Sequence, residues 1–206
     1  MRVTVWGTMM GQHNQSKAVL AGLALALAAC APGMTSLAPQ AQASDEVPAR
    51  ASQLAQALAD AESAHEIGDT QKLALLVSAL RANGVAPRED AGPDMVAMWS
   101  QKVGSDATPF RGRLLGPGYV RGELEPGESW RSAQTFKSGI PSTLAVSHKG
   151  AGPVRMKVSD QTQRLVCRPG SAREPACRFT PLYTQRYQIE LVNEGTGRAV
   201  YYLVFD

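Results

Sequence analysis

The histidines and acidic residues are the side chains of this 206-residue chain that could do acid–base chemistry. His65 or His148 would need a serine and a carboxylate beside it for nucleophilic catalysis, but the chain has no Gly-x-Ser-x-Gly turn to expose that serine. The acids Glu123, Glu125 and Glu128 surround a Pro-Gly turn, which is typical of a solvated hairpin tip. Glycine-rich phosphate-binding loops are also absent from the sequence. The sequence therefore predicts neither an enzyme nor a bound cofactor.

Cysteine is the other reactive residue type. Cys167 and Cys177 flank a stretch rich in Pro, Gly and Ser, which predicts a disulfide bond across a β-hairpin in an exported chain. Closing so short a loop stabilises a fold by about 2–3 kcal/mol. The alternative is a pair of free thiols or metal ligands. Zinc requires four ligands and no histidine lies nearby in the sequence, so no metal site is predicted.

An uncharged apolar run over residues 18–29 follows Lys17. A basic flank and a run too short to span a bilayer are typical of a secretory signal. Translation could equally start at Met9 or Met10, because the residues before them add nothing that such a signal needs. The chain is therefore expected to reach the periplasm or cell envelope, or to be secreted.

Two cleavage sites compete in this export segment. Leu27-Ala-Ala-Cys30 resembles the lipobox of bacterial lipoproteins, in which Cys30 would carry the lipid anchor, as in an outer-membrane lipoprotein, and residues 31–44 would form a tether. Ala41-Gln42-Ala43 before Ser44 instead matches the pattern of ordinary signal peptidase. Under either alternative Cys30 is not a catalytic thiol, and a membrane is reached only through the lipid.

Helical periodicity follows the export segment. Asp45-Glu46 suits the positive end of a first helix, which Gly68-Asp69 breaks, and Asp69 can cap a second helix that ends at Asn83-Gly84. A third short helix is predicted over residues 95–102. The apolar stripes of the first two helices are Leu54, Leu58, Ala61 and His65, then Leu73, Leu76, Val77 and Leu80. These helices bury too little alone and must pack on each other, on a sheet or on a partner.

The last third of the chain alternates apolar and polar residues in short runs separated by turn residues, as in a β-sandwich. The predicted strands cover residues 119–124, 129–136, 143–148, 154–159, 165–167, 177–179, 186–191 and 200–205. The last strand is apolar on both faces, which predicts a central position or one beneath the helices.

Charge divides the exported part into two halves. Residues 44–110 carry 5 basic and 10 acidic side chains, and residues 111–206 carry 14 basic and 8 acidic ones. The halves could face each other or both be solvated, or the basic half could meet an anionic surface. The candidate binding surface combines Trp130 and Arg131, a cation beside an aromatic ring, with Arg155 and Lys157, which lie on the polar, basic face of the strand over residues 154–159.

The order of several short motifs resembles the bacterial pre-peptidase C-terminal domain. They are Val158-x-Asp160, Cys177-Arg-Phe-Thr-Pro181, the stretch Tyr187 to Asn193, and Tyr202-Leu203. The resemblance covers residues 119–206 and implies a jelly-roll-like sandwich in secreted or periplasmic proteins, a non-catalytic module that often accompanies an enzyme. An acid-rich run suggestive of cation binding in that family is basic here, at residues 152–157, so the resemblance implies no metal site.

The sequence thus predicts an α+β chain divided at residues 1–43 (signal and possible tether), 44–103 (helices), 104–118 (linker) and 119–206 (antiparallel β-sandwich). Its predicted function is non-enzymatic binding or stabilisation in the cell envelope, with a protein, a polysaccharide or an anionic lipid as partner. Nucleic acid is not expected, because the chain is exported and lacks a dense basic run. The alternatives are a structural lipoprotein, or a hydrolase with its site between helices and sheet.

Overall fold

Three helices and two mostly antiparallel β-sheets make up the computed structural model, which describes residues 49–89, 91–104, 116–169 and 176–206. In chain order the elements are α1 (Arg50–Ile67), α2 (Thr70–Ala82), β1 (Ala86–Pro87), α3 (Met95–Lys102), β2 (Gly118–Leu124), β3 (Ser129–Phe136), β4 (Ser142–Lys149), β5 (Val154–Ser159), β6 (Leu165–Cys167), β7 (Ala176–Phe179), β8 (Gln185–Asn193) and β9 (Ala199–Phe205). The predicted α+β class, with helices first and a sandwich after them, is confirmed. The predicted export segment with Cys30 and residues 105–115 of the predicted linker lie outside the described residues.

The helix ends follow local rules. Gly68 adopts the left-handed conformation (φ 75°) that ends α1, and the Asp69 side chain caps α2 by accepting from the Lys72 amide at 3.0 Å. Asp94 caps α3 in the same way. Helix α1 begins at Arg50, and the start predicted at Asp45 lies outside the described residues. None of the described helices is long and apolar enough to cross a bilayer.

The strands form two sheets that face each other. Sheet A has the order β1-β2-β9-β4-β7 and sheet B the order β3-β8-β5-β6. Every pairing is antiparallel except that of β1 with β2. Strand β1 was not predicted, because two residues ending in proline leave no periodic signal.

Strand β9 separates two hydrophobic cores. Tyr202 and Val204 point into a core shared with the helices, whereas Tyr201, Leu203 and Phe205 point into the core between the sheets. Helix α1 lies on β4 and β9, α2 packs on α1, and α3 packs on α2 and places Trp99 beside Tyr202 of β9. The apolar residues on both faces of this strand predicted either a central position or one beneath the helices. Both are confirmed, because β9 is central in its sheet and lies beneath α1.

The disulfide bond joins the two sheets. Cys167 on β6 bonds to Cys177 on β7, but β6 belongs to sheet B and β7 to sheet A. The predicted bond is present, and the predicted hairpin is wrong, because the two cysteine-bearing strands pair with β5 and β4 instead of with each other. The bond ties together the edge strands on one side of the sandwich.

A buried ion pair fixes α1 to sheet A. The Arg121 guanidinium on β2 donates two hydrogen bonds to the Glu62 carboxylate, at 2.7 and 3.1 Å, and the Tyr202 hydroxyl donates a third. The Glu62 side chain is only 8% exposed. This contact was not predicted, although an acid one turn after Leu58 on the buried face of a helix is a signal for a buried partner.

We expect this pair to make stability depend on acid pH. Burial raises the pKa of Glu62, but the hydrogen bonds from Arg121 and Tyr202 and the positive charges of Arg121 and Lys149 outweigh it, so this pKa lies below its ordinary value of 4.5. A carboxyl with a lowered pKa stabilises the fold above its unfolded pKa, and that contribution is lost as pH falls through the folded pKa.

Urea unfolding of the wild type and of Glu62→Gln over a series of pH values measures this contribution. The stability difference between them should be constant near neutral pH and should shrink as pH falls below 4.5. A difference that persists unchanged into strong acid would show that the carboxylate charge contributes nothing.

Candidate functional site

One end of the sandwich is built from two loops that hold each other in place. Loop 137–141 joins β3 to β4, and loop 180–184 joins β7 to β8. Ser138 donates its amide to the Thr184 hydroxyl at 3.0 Å and its hydroxyl to the Leu182 carbonyl at 2.6 Å. The Gly139 amide donates to the Pro181 carbonyl at 2.9 Å, and its φ of 72° is one that favours glycine. The loops are therefore held to each other by three hydrogen bonds.

Large apolar side chains on these two loops face solvent. Ile140 is 56% exposed, Leu182 79% and Tyr183 73%. Single exposed apolar residues are ordinary, but three on two bonded loops mark a candidate interaction surface. We call Ile140, Leu182 and Tyr183 the apolar loop surface.

A groove of about 280 Å³ lies beside the apolar loop surface, between the ends of the two sheets. Ile140 belongs to both. The groove is lined by Arg88, Gln134, Thr135, Phe136, Ile140, Pro141, Ser142, Thr143, Phe205 and Asp206. Its lining is thus mixed, with aromatic rings from both sheets and polar groups that can fix the orientation of what enters.

Arg88 is held at the groove by two contacts. Its guanidinium lies over the Phe205 ring, 4.5 Å from the centroid, and its Nη2 donates to the Gln134 side chain at 2.8 Å. Asp206 is instead 3.5 Å from Arg50, at the start of α1. The site therefore presents an oriented cation beside an aromatic floor.

The four predicted binding residues lie on sheet B, but not on one face. Arg131 and Lys157 point outward on either side of Glu190, and Arg131 is hydrogen-bonded to it. Arg155 pairs with Glu194 at 2.6 Å. The Trp130 ring points the other way, into the core, with its centroid 5.9 Å from that of Tyr201. The structure does not gather these four into one surface, and their binding role stays a prediction.

Sequence analysis missed the residues of the apolar loop surface because loop residues carry no periodicity. A signal was present, since Ile140 follows Gly139, and Leu182-Tyr183 follows Pro181. Apolar residues in a stretch with turn chemistry are expected to be exposed unless tertiary contacts bury them.

Acid–base groups are not assembled at this end. His65 lies on α1 with its Nδ1 buried and unpaired, and His148 lies on β4 opposite Tyr201. Within the described residues neither imidazole hydrogen-bonds a carboxylate, and no group of three or more His, Cys, Asp and Glu side chains is placed to hold a metal. Burial raises the pKa of Tyr201 to about 12, and the charge of Glu128 adds to that shift, so this phenol is protonated at neutral pH.

Comparisons with known proteins find similar structures but no similar sequences. No family model matches the chain, and no curated protein matches it by sequence. Among solved structures it is similar to the pre-peptidase C-terminal domain of collagenase from Bacillus anthracis, at 14% identity and a TM-score of 0.38, over 43% of this chain and 87% of that one. The family that the sequence resembles is thus among its structural neighbours.

A second similar structure is PliG from Aeromonas hydrophila, a periplasmic inhibitor of g-type lysozyme, at 13% identity and a TM-score of 0.36, over 48% of this chain and 91% of that one. PliG from Salmonella Typhimurium is similar at 8% identity and a TM-score of 0.29, over 44% and 89%. Similarities of this extent leave the function to be inferred from the residues of this chain.

Proposed function

We propose that the protein is an exported, non-catalytic binding protein whose partner is another protein, docked on the apolar loop surface and the adjoining groove. The observation that carries this proposal is the exposure of Ile140, Leu182 and Tyr183, each more than half exposed, on loops that are bonded to each other. Burying such side chains drives association, because their apolar area leaves water.

The rigidity of the loops supports binding as the function. Association loses free energy when flexible loops must become ordered, and the three hydrogen bonds from Ser138 and Gly139 reduce that loss. Tyrosine, here Tyr183, is also a residue type that protein interfaces enrich.

A protein fits this surface better than the other two partner classes. Sugars are recognised largely by stacking on aromatic rings, and Tyr183 is the one ring among the strongly exposed apolar side chains of the described residues. The acyl chains of a lipid bilayer could not form hydrogen bonds with Gln134, Ser142 and Thr143, the polar residues that line part of the groove. Crosslinking to a polysaccharide or a lipid would therefore contradict the proposal in the experiment described below.

Export is supported by the disulfide bond and the sequence of residues 17–43. The Cys167–Cys177 bond persists only where thiols are not continually reduced. The apolar run after Lys17 is typical of a secretory signal. The choice between lipid anchoring at Cys30 and cleavage after Ala43 stays a prediction, which the mass of the mature protein would decide.

Site-specific photo-crosslinking in the producing cells tests the proposed function. We expect p-benzoylphenylalanine in place of Leu182 to give a discrete protein-sized adduct on irradiation, because this side chain is 79% exposed on the proposed interface. The matched control is the same residue in place of Leu75, which is 74% exposed on α2. Equal adducts at both positions, no adduct at position 182, or adducts of lipid or polysaccharide only would contradict the proposal.

A further inference from the structure

Strand β3 is an edge strand, with one side unpaired within the described residues. It is the first strand of sheet B and, in the described part of the chain, pairs only with β8. All eight of its residues pair without a register shift. Natural edge strands are usually protected by proline, bulges, several charged side chains or a covering segment. Strand β3 has no proline. Its one charged residue, Arg131, is hydrogen-bonded to Glu190.

The free edge offers a regular set of backbone groups. The Asn193 amide donates to the Glu128 carbonyl at 3.0 Å, and hydrogen-bonded positions alternate along an antiparallel pair. Ser129, Arg131, Ala133 and Thr135 therefore point their N–H and C=O groups away from β8. Arg131, Ala133 and Thr135 are also exposed. This alternation is the template that an added strand requires.

The edge leads into the groove. Gln134, Thr135 and Phe136, the last residues of β3, form part of the groove lining. A strand added to β3 would direct alternate side chains toward the gap between the sheets, where the groove has room for one of them. Backbone pairing would then provide affinity, and the groove would select a side chain.

Three cations that form no salt bridge with any described residue lie at this end of β3, where Asp206, which also lines the groove, is 3.5 Å from Arg50. Arg88 is bonded to Gln134, Arg186 lies opposite Thr135, and Lys137 follows Phe136. Within the described residues none of the three cations forms a salt bridge, whereas the other arginines and lysines on strands β2, β3, β4 and β5 each pair with an acid. A partner segment that carries carboxylates complements this charge.

We propose that an extended, acidic segment of a protein partner binds by adding a fifth strand to sheet B along Ser129–Phe136. The inference rests on the proposed function for the class of partner, and adds to it the binding mode and the charge of the bound segment. A second copy of this chain is the competing occupant of the same edge, and it would bring more positive charge to the three cations.

Fluorescence anisotropy with a synthetic probe tests the binding mode on the full chain. The probe is a labelled peptide of about ten residues that alternates valine and glutamate, long enough to span the eight residues of β3. We expect saturable binding, about tenfold weaker for the same peptide with lysine in place of glutamate, and about tenfold weaker when alternate amides of the acidic peptide are N-methylated. No saturable binding, or equal binding of the N-methylated peptide, would overturn the inference.

Two variants locate the binding on the protein. Ala133→Pro removes an amide that points to solvent, which an edge strand tolerates, and should weaken peptide binding about tenfold with an unchanged circular dichroism spectrum. Arg186→Gln removes one of the three cations without touching the backbone, and should weaken binding and lessen its dependence on salt. Normal binding by both variants would place the peptide elsewhere and overturn the inference.

Combining Ala133→Pro with the crosslinker at position 182 separates the two proposals. Loss of the adduct supports strand addition by the partner that docks on the loops. If the adduct persists in the Ala133→Pro variant, strand addition is overturned and the proposed function stands. If the protein with Ala133 unchanged gives no adduct at position 182, the proposed function itself is overturned. Sedimentation of the wild type tests the competing occupant. If the wild type is a dimer and Ala133→Pro is a monomer, the β3 edge binds a second copy of this chain, and the inference of an acidic partner segment is overturned.

Discussion

Replacing Arg121 with methionine is expected to lower the free energy of unfolding by about 2–4 kcal/mol. The substitution keeps the apolar part of the side chain but leaves the Glu62 carboxylate, whose side chain is 8% exposed, without the guanidinium that donates to it twice. A buried charge that loses its partner retains its full desolvation penalty. The value is placed at the low end because the Arg121 side chain is 22% exposed and water partly screens the pair.

A matched surface pair provides the control. Arg131 and Glu190 also form an arginine–glutamate pair, here between strands β3 and β8, but the Arg131 side chain is 67% exposed, so Arg131→Met should cost less than about 1 kcal/mol. Both values come from urea unfolding at neutral pH. Equal losses for the two variants would mean that burial adds nothing to the Glu62–Arg121 pair.

Replacing Glu62, Arg121 and Tyr202 together tests whether the stability that Arg121→Met loses comes from the unpaired charge of Glu62. The triple variant Glu62→Leu, Arg121→Met, Tyr202→Phe leaves no unpaired polar group there, and it should recover most of the stability that Arg121→Met alone loses. An additive loss would instead mean that the network itself stabilises the fold.

Local patterns predicted the elements of this fold because their causes are local. Helix α3 begins and ends as predicted, since Asp94 supplies a side-chain cap within three residues of the amide it binds. The position of β9 followed from its composition, because a strand that is apolar on both faces must be covered on both.

Contacts between distant parts of the chain were beyond the same reasoning. The spacing of Cys167 and Cys177 fits a hairpin as well as a crossing between sheets, and only the pairing of β6 with β5 and of β7 with β4 decides between them. The candidate site also depends on distant contacts, since the loops that carry Ile140 and Leu182 are joined by hydrogen bonds from Ser138 to residues 44 and 46 positions later in the sequence. The candidate binding surface was predicted from neighbours within single strands, which could not show that Glu190 lies between Arg131 and Lys157.

The two long sides of the sandwich differ in how their edges are closed. On one side β6 and β7, the last strands of sheets B and A, are joined by the Cys167–Cys177 bond. On the other side lie β3 of sheet B and β1 of sheet A, where within the described residues Arg88 and Gln134 form a side-chain bridge but no covalent bond. A partner strand could therefore be added at β3 without opening the sandwich, because the two sheets are held together at the opposite edge.

Reducing that bond is expected to lower the free energy of unfolding by about 2–3 kcal/mol and the melting temperature by about 5–10 °C, because the unfolded chain regains the freedom of a short loop. The fold should persist, since Cys177 is fully buried in the core between the sheets and its thiol still fills that position. Thermal unfolding with and without a phosphine reductant measures the shift, and the double variant Cys167→Ala, Cys177→Ala, which the reductant should leave unchanged, is the control. If the melting temperature of the wild type does not move, the bond does not stabilise the sandwich; if reduction also abolishes binding of the acidic peptide, the β3 edge depends on the far side of the sandwich and the two edges are not independent.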